Sequence, residues 1–353
     1  MTTMADDDYS SSTTDANNYS DYPDADFPGF LCNKDSVREF RRSYEPPLYW
    51  IIFVLGAVGN LLVVWIYMTV RNRLKTMTDM YLLNLTVADL LFLCTLPFWA
   101  TDSSQNWVFG QAICKSVSAL YKINFFACML LLTCISIDRY VAIVRVTEAY
   151  NQTRRARLQT SKMACCAVWL ASCILALPEF IFAQVKDDSC KLVYWQNTNN
   201  QTKVLVLSLQ ICIGFCVPLL VMACCYSVII RNLLQARSFE KHKALRVIFA
   251  VVAVFILSQL PYSVHLVLEA VQANNHTMTD CEQLQSFDIT GQVVKSLAYT
   301  HCCLNPFLYV FIGVRFRNDL LKALHRITCR PTPATSKRPS VLSDTDTTPA
   351  FSF

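Results

Sequence analysis

Apolar residues are grouped along this chain into seven long runs with few or no charges, and short polar segments separate the runs. The runs are Leu48 to Val70, Met80 to Thr101, Ile123 to Ile137, Met163 to Leu177, Val204 to Ile230, Val247 to Leu268 and Leu297 to Ile312. A helix needs about 20 mostly apolar residues to cross a bilayer, and the shorter runs reach that length with flanking residues. The pattern therefore predicts an all-α membrane protein, a bundle of seven transmembrane helices.

The overall composition agrees with a membrane protein and argues against other classes. Of the 353 residues, 54% are apolar and 16% are charged, which is too apolar for a soluble protein of two domains. The formal net charge is +5, but the basic residues are spread between the runs and form no single patch. Nucleic acid is therefore not an expected partner, whereas membrane lipids are.

Lysine and arginine are distributed unequally between the two sets of loops. If the N-terminus is outside, the inner segments carry eighteen of these residues and the outer segments carry eight. Basic residues accumulate on the cytoplasmic side of membrane proteins. The sequence therefore predicts a multi-pass protein of the plasma membrane with an extracellular N-terminus and a cytoplasmic C-terminus.

The positions of the runs divide the chain into four segments. We predict an extracellular, acidic, disordered tail at residues 1–46 and the seven-helix bundle at 47–313. A short amphipathic eighth helix at 314–328 is predicted to lie on the membrane. A cytoplasmic tail rich in serine and threonine follows at 329–353.

The beginning of the tail has the charge of a docking segment for a basic protein. Its first 31 residues contain seven aspartates and neither lysine nor arginine. Such a segment cannot bury a core, and its negative charge favours the approach of a basic ligand. Tyr9, Tyr19 and Tyr22 lie among these acids and are candidate sulfation sites for ligand recognition. A tail that only adds solubility is the alternative interpretation.

Several modification sites follow from the predicted topology. The sequons at Asn18, Asn200 and Asn275 face outside and are predicted to carry glycans. Cys329 comes directly after the amphipathic segment and is a candidate palmitoylation site.

The cysteines divide between the spans and the outside. Of the seventeen cysteines, only Cys32, Cys114, Cys190 and Cys281 are predicted to lie outside. An even number in an oxidising compartment predicts two disulfides, and four cysteines allow three pairings. The residues alone do not choose among these pairings.

A carboxylate inside the second run needs an explanation. Asp89 lies at mid-membrane, where an acid costs about 2.5–3.5 kcal/mol to insert. Asn60, Asn124 and Asn305 are embedded in other runs and are the candidate amide partners. We interpret this group as an ion- or proton-sensitive switch, with a static polar contact that packs the bundle as the alternative.

The third span is long enough to contact both sides of the membrane. Tyr121 and Arg139 are eighteen residues apart, which corresponds to about 27 Å of helix. Asp138, Arg139 and Tyr140 lie where this span meets a basic inner loop, so one helix connects the outer face to an inner arginine. An arginine that merely reaches toward the interface is the alternative.

These residues together resemble the rhodopsin-like, or class A, G-protein-coupled receptors over about residues 47–328. Each span carries one landmark: Gly59 with Asn60, Leu85 with Asp89, Asp138-Arg139-Tyr140, Trp169, Pro218 with Tyr226, Pro261, and Asn305-Pro306 with Tyr309. Within that class the chain resembles the chemokine receptors in four further motifs: Thr95 to Trp99, Trp107 to Gly110, Asp138 to Val144 and His301 to Pro306.

The resemblance implies a ligand, partners and a set of site residues. The expected agonist is a C-C chemokine, and the expected partners are a heterotrimeric G protein of the inhibitory class, receptor kinases and arrestin. The implied disulfides are Cys114–Cys190 and Cys32–Cys281. The implied pocket consists of Tyr49, Trp99, Tyr121, Lys122, Glu269 and Lys295. The implied activation switch consists of Asp89, Asn124, Asp138, Arg139, Tyr140, Tyr226, Gln259, Pro261, Asn305, Pro306 and Tyr309.

The chain also departs from the pattern of the class. Gln259 stands where most members have a tryptophan, and Lys295 stands where most chemokine receptors have a glutamate. We hypothesise that Glu269 or an acidic ligand group neutralises Lys122 or Lys295. Cys128 and Cys302 replace hydroxyls around the class's sodium site, so the resemblance implies only weakly an allosteric sodium ion between Asp89 and Asn124, and no other cofactor or metal.

The function expected from these features is signalling by a chemokine receptor. An atypical receptor that scavenges chemokine without G-protein signalling is the alternative, and a seven-span receptor for another ligand is more remote. An enzyme is not expected, because the sequence shows no nucleotide motif, no cluster of metal ligands and no nucleophile with its base.

Overall fold

A computed structural model describes residues 32–69, 76–145, 153–194, 201–235, 239–275, 278–312, 316–318, 320–322 and 325. The side chains of residues 154, 233–235, 239–248, 274–275 and 309–312 lie outside this description.

The described chain folds into helices that follow the seven apolar runs. Three spans are single helices: span one is α1 (Asp35–Thr69), span three is α4 (Gly110–Val144) and span six is α9 (Phe239–Asn275). Three spans consist of two helices each: span two is α2 (Met77–Leu93) with α3 (Leu96–Gln105), span four is α5 (Arg154–Leu175) with α6 (Leu177–Phe182), and span seven is α10 (Cys281–Tyr299) with α11 (His301–Ile312). Span five consists of α7 (Gln201–Ile211), a π-helical turn (Cys212–Cys216) and α8 (Val217–Gln235). Among these described spans, the first six are long and apolar enough to cross a membrane. The seventh is divided at Thr300.

Prolines explain several irregularities of the spans. Pro97 and Pro178 lie in the first turns of α3 and α6, directly after the breaks in spans two and four. Pro218 follows the π-helical turn of span five. Proline removes one backbone donor and clashes with the preceding turn, so a helix ends or widens just before it. Helices α9 and α11 continue through Pro261 and Pro306.

The first span begins earlier than the predicted boundary at residue 46. Helix α1 begins at Asp35 and continues through Pro46 and Pro47. The last part of the segment predicted as a disordered tail is therefore helical. Arg41 and Glu45 supply the physical reason, because their side chains attach this extension to α3, as described below.

A short hairpin connects spans four and five. Strands β1 (Ala183–Lys186) and β2 (Ser189–Leu192) are antiparallel, and Val185 lies opposite Cys190. The two connecting residues, Asp187 and Asp188, have φ angles of 51° and 54°. Positive φ at both central residues makes the tight turn whose twist matches a two-residue hairpin, and aspartate tolerates that conformation.

The core is centred on span three. Phe126, Met129, Leu131 and Leu132 of α4 are almost completely buried in a cluster shared with spans one, two, four, five and six. Large apolar side chains also cover the outside of the bundle, and Met68 remains 70% exposed. An apolar outer surface of this extent fits contact with acyl chains. The structure thus confirms the predicted seven-helix bundle.

The segment after span seven is described only in part. Residues 316–318, 320–322 and 325 are helical within the predicted eighth helix at 314–328. Phe316 is buried, whereas Leu321 is exposed. The remaining positions of that helix lie outside the described residues.

Candidate functional site

Two disulfides close the end of the bundle at which the described chain begins, here called the Cys32 end. Cys32 is bonded to Cys281 and Cys114 to Cys190, the pairing that the resemblance implies. The first bond joins the start of the described chain to the start of span seven. The second joins the top of span three to strand β2, so both bonds hold connecting segments against the rim of the bundle.

A partly buried ionic network joins the extension of α1 to the same rim. Arg41 donates to Glu45 Oε2 at 3.0 Å and to Asp102 Oδ2 at 2.6 Å. Asp102 also accepts the backbone N–H of Cys190 at 3.2 Å, and Ser103 donates a short hydrogen bond to Glu45. A charge-assisted network with buried carboxylates is specific in geometry, so it fixes α1, α3 and the hairpin together. The sequence analysis missed these residues.

Aromatic rings line the space between spans one, two, three and seven. The Tyr299 ring lies 5.6 Å from Tyr49 and 5.0 Å from Tyr121, measured between centroids. Lys295 Nζ lies 5.4 Å from the centre of the Trp99 ring and 5.7 Å from that of Tyr299. The structure therefore brings four of the six predicted pocket residues, Tyr49, Trp99, Tyr121 and Lys295, together around Tyr299, which is not among the predicted pocket residues. A cation over two aromatic faces is attracted by the ring quadrupoles.

Lys122 forms a separate buried group between spans three, four and five. Its Nζ donates to Gln210 Oε1 at 2.8 Å and lies 3.5 Å from Glu179 Oε1. Gln210 in turn donates a short hydrogen bond to Glu179. The sequence signal for Glu179 was an acid directly after Pro178 within an apolar stretch, and the analysis did not use it.

Glu269 pairs with Lys203 in the described structure and with neither pocket lysine, so the part of the hypothesis that names Glu269 is wrong, while an acidic ligand group stays a prediction. Its Oε1 lies 2.8 Å from Lys203 Nζ, and both side chains are about one-third exposed. Tyr194 lies near this pair. Burial raises the pKa of the Tyr194 phenol, and the negative charges of Glu179 and Glu269 raise it further, so the phenol stays neutral and can donate a hydrogen bond.

The interior of the bundle contains a polar group centred on Asp89, which is completely buried. Asn124 Nδ2 donates to Asp89 Oδ1 at 3.2 Å, and Asn305 Nδ2 donates to Oδ2 at 2.8 Å. Asn60, the third expected amide partner, does not take part. It donates instead to the backbone oxygens of Gly56 and Cys302, at 2.9 and 2.8 Å.

This group fits sodium poorly. Hard cations take oxygen ligands, but Asp89 Oδ1 is approached by the amide nitrogen of Asn124, by Cys128 Sγ at 3.6 Å and by His301 Nε2 at 3.7 Å. Sodium at Asp89 and Asn124 therefore stays a prediction that the chemistry of these donors does not favour.

Gln259 connects span six to this interior group. Its Nε2 lies 3.0 Å from the Ala298 oxygen and 3.2 Å from His301 Nδ1. His301 also packs edge-on against Phe255 of span six. A displacement of span six near Pro261 would therefore change the contacts of a residue that faces Asp89.

At the opposite end of the bundle, Arg139 is held by its neighbour. Its Nη2 lies 2.6 Å from Asp138 Oδ2 and 2.6 Å from Thr78 Oγ1. Arg157 Nη2 of span four lies 3.6 Å from the other Asp138 oxygen. Asp138 thus joins spans two, three and four and occupies the guanidinium of Arg139.

Aromatic residues of the predicted switch pack near the ion pair between Asp138 and Arg139. Tyr226 is buried, and its ring lies 4.6 Å from that of Phe249, while Tyr140 packs against the same core. Pro306 lies so close to span one that a Cβ at Gly59 would come within 3.0 Å of it. The side chain of Tyr309 lies outside the described residues.

Other predicted sites also fall outside the described part of the chain. These are Tyr9, Tyr19, Tyr22, Asn18, Asn200 and Cys329, together with the side chain of Asn275.

Comparisons with known proteins agree with this architecture. Residues 59–309 match the family described as 7 transmembrane receptor (rhodopsin family). The chain is 45% identical over 327 residues to C-C chemokine receptor type 9 of Homo sapiens, covering 92% of this chain and 88% of that protein. It is 46% identical over 313 residues to the type 9 receptor of Mus musculus, covering 88% and 84%. It is also 47% identical over 305 residues to C-C chemokine receptor type 7 of Homo sapiens, covering 85% and 79%. The chain therefore belongs to the rhodopsin family of seven-transmembrane receptors, and within that family to the chemokine receptors.

Proposed function

We propose that this chemokine receptor binds a C-C chemokine outside the cell and activates inhibitory heterotrimeric G proteins, which raises calcium and drives leukocyte chemotaxis. As a member of this family the chain is a multi-pass membrane receptor and not an enzyme. The observation that carries the proposal is the double role of span three. Tyr121 and Lys122 of this helix belong to the aromatic and ionic groups at the Cys32 end. Arg139 of the same helix is bonded to Asp138 at the opposite end.

The proposed orientation places the Cys32 end outside the cell and the Arg139 end in the cytosol. The distribution of lysine and arginine supports it, and so do the two disulfides at the Cys32 end, because disulfides persist in oxidising compartments. The acidic residues before Cys32 would then face a basic ligand, with Tyr9, Tyr19 and Tyr22 as sulfate acceptors.

The proposed agonist is C-C ligand twenty-five. Four segments of the sequence support a likeness to the type nine receptor: Pro46 to Trp50, Lys75 to Met80, Lys241 to Arg246 and Leu257 to Tyr262. The identity to type 7 receptors is of similar size, so a panel of C-C chemokines is the appropriate test of this assignment.

The proposed mechanism is a shift between two states of the bundle. A ligand changes such an equilibrium only by binding one state more tightly. Agonist contacts with Tyr121 and Lys122 would move span three, and the contact between Gln259 and His301 would transmit movement to span six. Rotation of span six about Pro261 would open a cleft in which Arg139, freed from Asp138 and Thr78, meets the G protein.

Further partners are proposed for the C-terminal segment. Receptor kinases would phosphorylate serine and threonine side chains within residues 329–353. Each phosphate adds about −1.5 to −2 charge, and together these charges would create a docking surface for arrestin. The segment before it would lie on membrane lipids, with palmitate on Cys329 as a second anchor.

Calcium and cyclic-AMP responses of transfected cells to a panel of C-C chemokines, with and without pertussis toxin, test the proposal. A toxin-sensitive response to C-C ligand twenty-five is expected. Binding without any response would favour the scavenging receptor, and a response to another chemokine would replace the assigned ligand. Absence of any binding on cells that display the receptor would refute the proposal.

A further inference from the structure

A cleft lies between spans six and seven, in the halves of these spans nearer the Cys32 end. Its volume is about 650 Å³, which is within the usual range of small-molecule sites. Span six contributes Val264, His265 and Leu268 to its lining, and span seven contributes Phe287 and Val294. The six predicted pocket residues are all described, and none of them lines this cleft. The six–seven cleft, as it is called below, is therefore separate from the predicted pocket.

The six–seven cleft opens toward the membrane and not toward the interior of the bundle. Val264 and Leu268 are about half exposed, whereas Ser263 and Leu266 on the other face of span six are buried. Exposed apolar side chains on a membrane span contact acyl chains. A ligand of this cleft would therefore enter from the bilayer and carry an apolar part.

Two stacked rings join the spans at this level. The rings of His265 and Phe287 lie 4.3 Å apart between centroids, with 27° between their planes. Gly291 allows this approach, because a Cβ at that position would clash with the His265 imidazole. The two spans are thus in close contact through these rings, while the cleft stays open on the membrane side.

Two carboxylates line the cleft at its end nearer Cys32. Asp280 directly precedes α10 and Glu282 lies in its first turn. The Asp280 side chain does not cap the helix, and among the described residues neither acid has a salt-bridge partner. An acid in the first turn also favours the helix itself, so the charges alone do not indicate a ligand. Their place at the mouth of an open, mostly apolar cleft does.

The lining changes in character along span seven. Glu282 is followed by the hydroxyls of Ser286 and Thr290 and then by the apolar Val294, and steps of four residues place these side chains on one face of the helix. From Glu282 to Val294 is twelve residues, or about 18 Å of helix. Half of the hydrocarbon core of a bilayer is about 15 Å thick. The cleft therefore has the length of one leaflet, with negative charge at one end, hydroxyl donors next and apolar side chains at the other end.

We propose that the six–seven cleft binds one choline phospholipid of the outer leaflet, which rests on the orientation proposed above. The positive choline group would lie at Asp280 and Glu282, where it neutralises their charge. Phe287 lines the same part of the cleft, and aromatic rings attract quaternary ammonium groups. The phosphate, which is closer to the acyl chains than the choline is, would accept hydrogen bonds from Ser286 and Gln283.

The apolar half of the cleft would hold an acyl chain against Val264, Leu268 and Val294. A lipid whose head carries only negative charge would be repelled by the two carboxylates. Anionic lipids are also concentrated in the cytoplasmic leaflet, away from this end of the bundle in the proposed orientation. The cleft is therefore expected to select a choline head over a glycerol head on the same acyl chains.

Competition between lipids on the purified full-length receptor tests the proposal without chemokine. The receptor in detergent micelles receives equal amounts of phosphatidylcholine and phosphatidylglycerol with identical chains, together with cholesterol, and native mass spectrometry counts the lipids retained. The wild type is expected to retain one phosphatidylcholine and to prefer it over phosphatidylglycerol by about 5–30-fold. Soluble phosphocholine should not displace it, because phosphocholine lacks the apolar part.

Substitutions separate the charged end of the cleft from its apolar part. Asp280→Asn combined with Glu282→Gln should remove most of the preference for choline, whereas Asp187→Asn, at an exposed acid of the hairpin turn, should preserve it. Thr290→Phe fills the cleft and should abolish retention of the lipid. Val267→Phe is the matched control, because Val267 is exposed on span six but does not line the cleft.

A phosphatidylcholine with a photoreactive diazirine in one acyl chain locates the bound lipid on the wild type. Labelled peptides are expected from residues 261–268 and 283–294. Labels confined to other spans would overturn the proposal, as would a wild type that retains no phosphatidylcholine, retains phosphatidylglycerol equally well or prefers cholesterol. If substituted receptors fold poorly, competition and labelling on the wild type still decide the question. Chemokine responses are recorded separately, so failure of this lipid site would leave the proposed function unaffected.

Discussion

Lys122 of span three and Glu179 of span four form an ion pair inside the bundle, with 3.5 Å between Nζ and Oε1 and with both side chains less than 10% exposed. Gln210 of span five bonds to both residues. A lysine at this depth is tolerated only when it is paired or hydrogen-bonded. The pair therefore fixes the positions of three spans directly below the hairpin.

Removal of the carboxylate from this pair should destabilise the receptor. Glu179→Gln leaves Lys122 as a buried charge without its counter-ion, and breaking a buried pair in this way costs about 3–5 kcal/mol. We expect a lower temperature of half-inactivation for purified receptor and reduced display at the cell surface. Thermal inactivation of detergent-solubilised receptor measures the first effect.

The pair between Lys203 and Glu269 is the matched control, because it lies at the same end of the bundle and is partly exposed. Exposed pairs contribute about 0–1 kcal/mol. Glu269→Gln should therefore change the inactivation temperature little. Equal effects of the two substitutions would contradict the distinction between a structural and a peripheral pair.

Lys295 should contribute to agonist potency through its charge. It lies over Trp99 and Tyr299, and the described residues supply no carboxylate within salt-bridge distance, so its charge is available for an acidic group of the ligand. Lys295→Gln is expected to lower potency about 5–30-fold, equivalent to about 1–2 kcal/mol. Calcium dose–response curves at matched surface expression measure this change.

Lys295→Arg is the conservative comparison for this position. Arginine keeps the positive charge and the cation–π contacts, so it should retain most of the potency. An unchanged potency in Lys295→Gln would show that the ligand does not use this charge.

Patterns in the sequence predicted features that depend on the residues of one segment, or on a residue whose chemistry allows few kinds of partner. Apolar runs that reach about 20 residues with their flanking residues favour membrane spans, whereas the pairing of the four cysteines followed from the family resemblance and not from the residues alone. Asp89 needed polar partners, and two of the three candidate amides provide them. Asn60 was misassigned because a buried amide can bond to backbone carbonyls instead, and its position in the chain does not distinguish the two.

The sequence could not predict contacts that depend on the rotation of one helix against another. Glu179 and Glu269 are both acids near the ends of spans, yet only Glu179 faces Lys122. The helical extension of α1 depends in the same way on Arg41 reaching Asp102 of another span. Such pairings are set by packing and not by sequence spacing.

The two disulfides should differ in their effects when they are removed. Cys114 and Cys190 are buried in a cluster with Trp107, and Cys190 N–H also bonds to Asp102. Loss of a native disulfide typically costs about 2–5 kcal/mol. Replacing Cys114 and Cys190 together by serine should therefore abolish surface display, as measured by flow cytometry.

Replacement of Cys32 and Cys281 should preserve the bundle, because this bond joins only the start of the described chain to span seven. We expect normal surface display with weaker chemokine binding, since the segment before span one would lose its attachment. Cys94→Ser, at an exposed free thiol, is the control and should leave display and binding unchanged. Full chemokine affinity in the Cys32 and Cys281 variant would refute this division of roles.

Release of Arg139 from its clasp should raise signalling in the absence of agonist. Asp138 Oδ2 accepts two hydrogen bonds from the guanidinium, at 2.6 and 3.2 Å, and Thr78 Oγ1 accepts one. Asp138→Asn removes the negative charge, so we expect the ratio of active to inactive receptor to rise about 5–30-fold, equivalent to about 1–2 kcal/mol. Thr78→Val removes one neutral acceptor and should give a smaller rise. Basal GTPγS loading of inhibitory G proteins in membranes measures both effects. Adding Arg139→Gln should abolish them, because we propose that the freed arginine is the group that contacts the G protein. Basal loading that is unchanged in Asp138→Asn at equal receptor density would show that this clasp does not restrain activation.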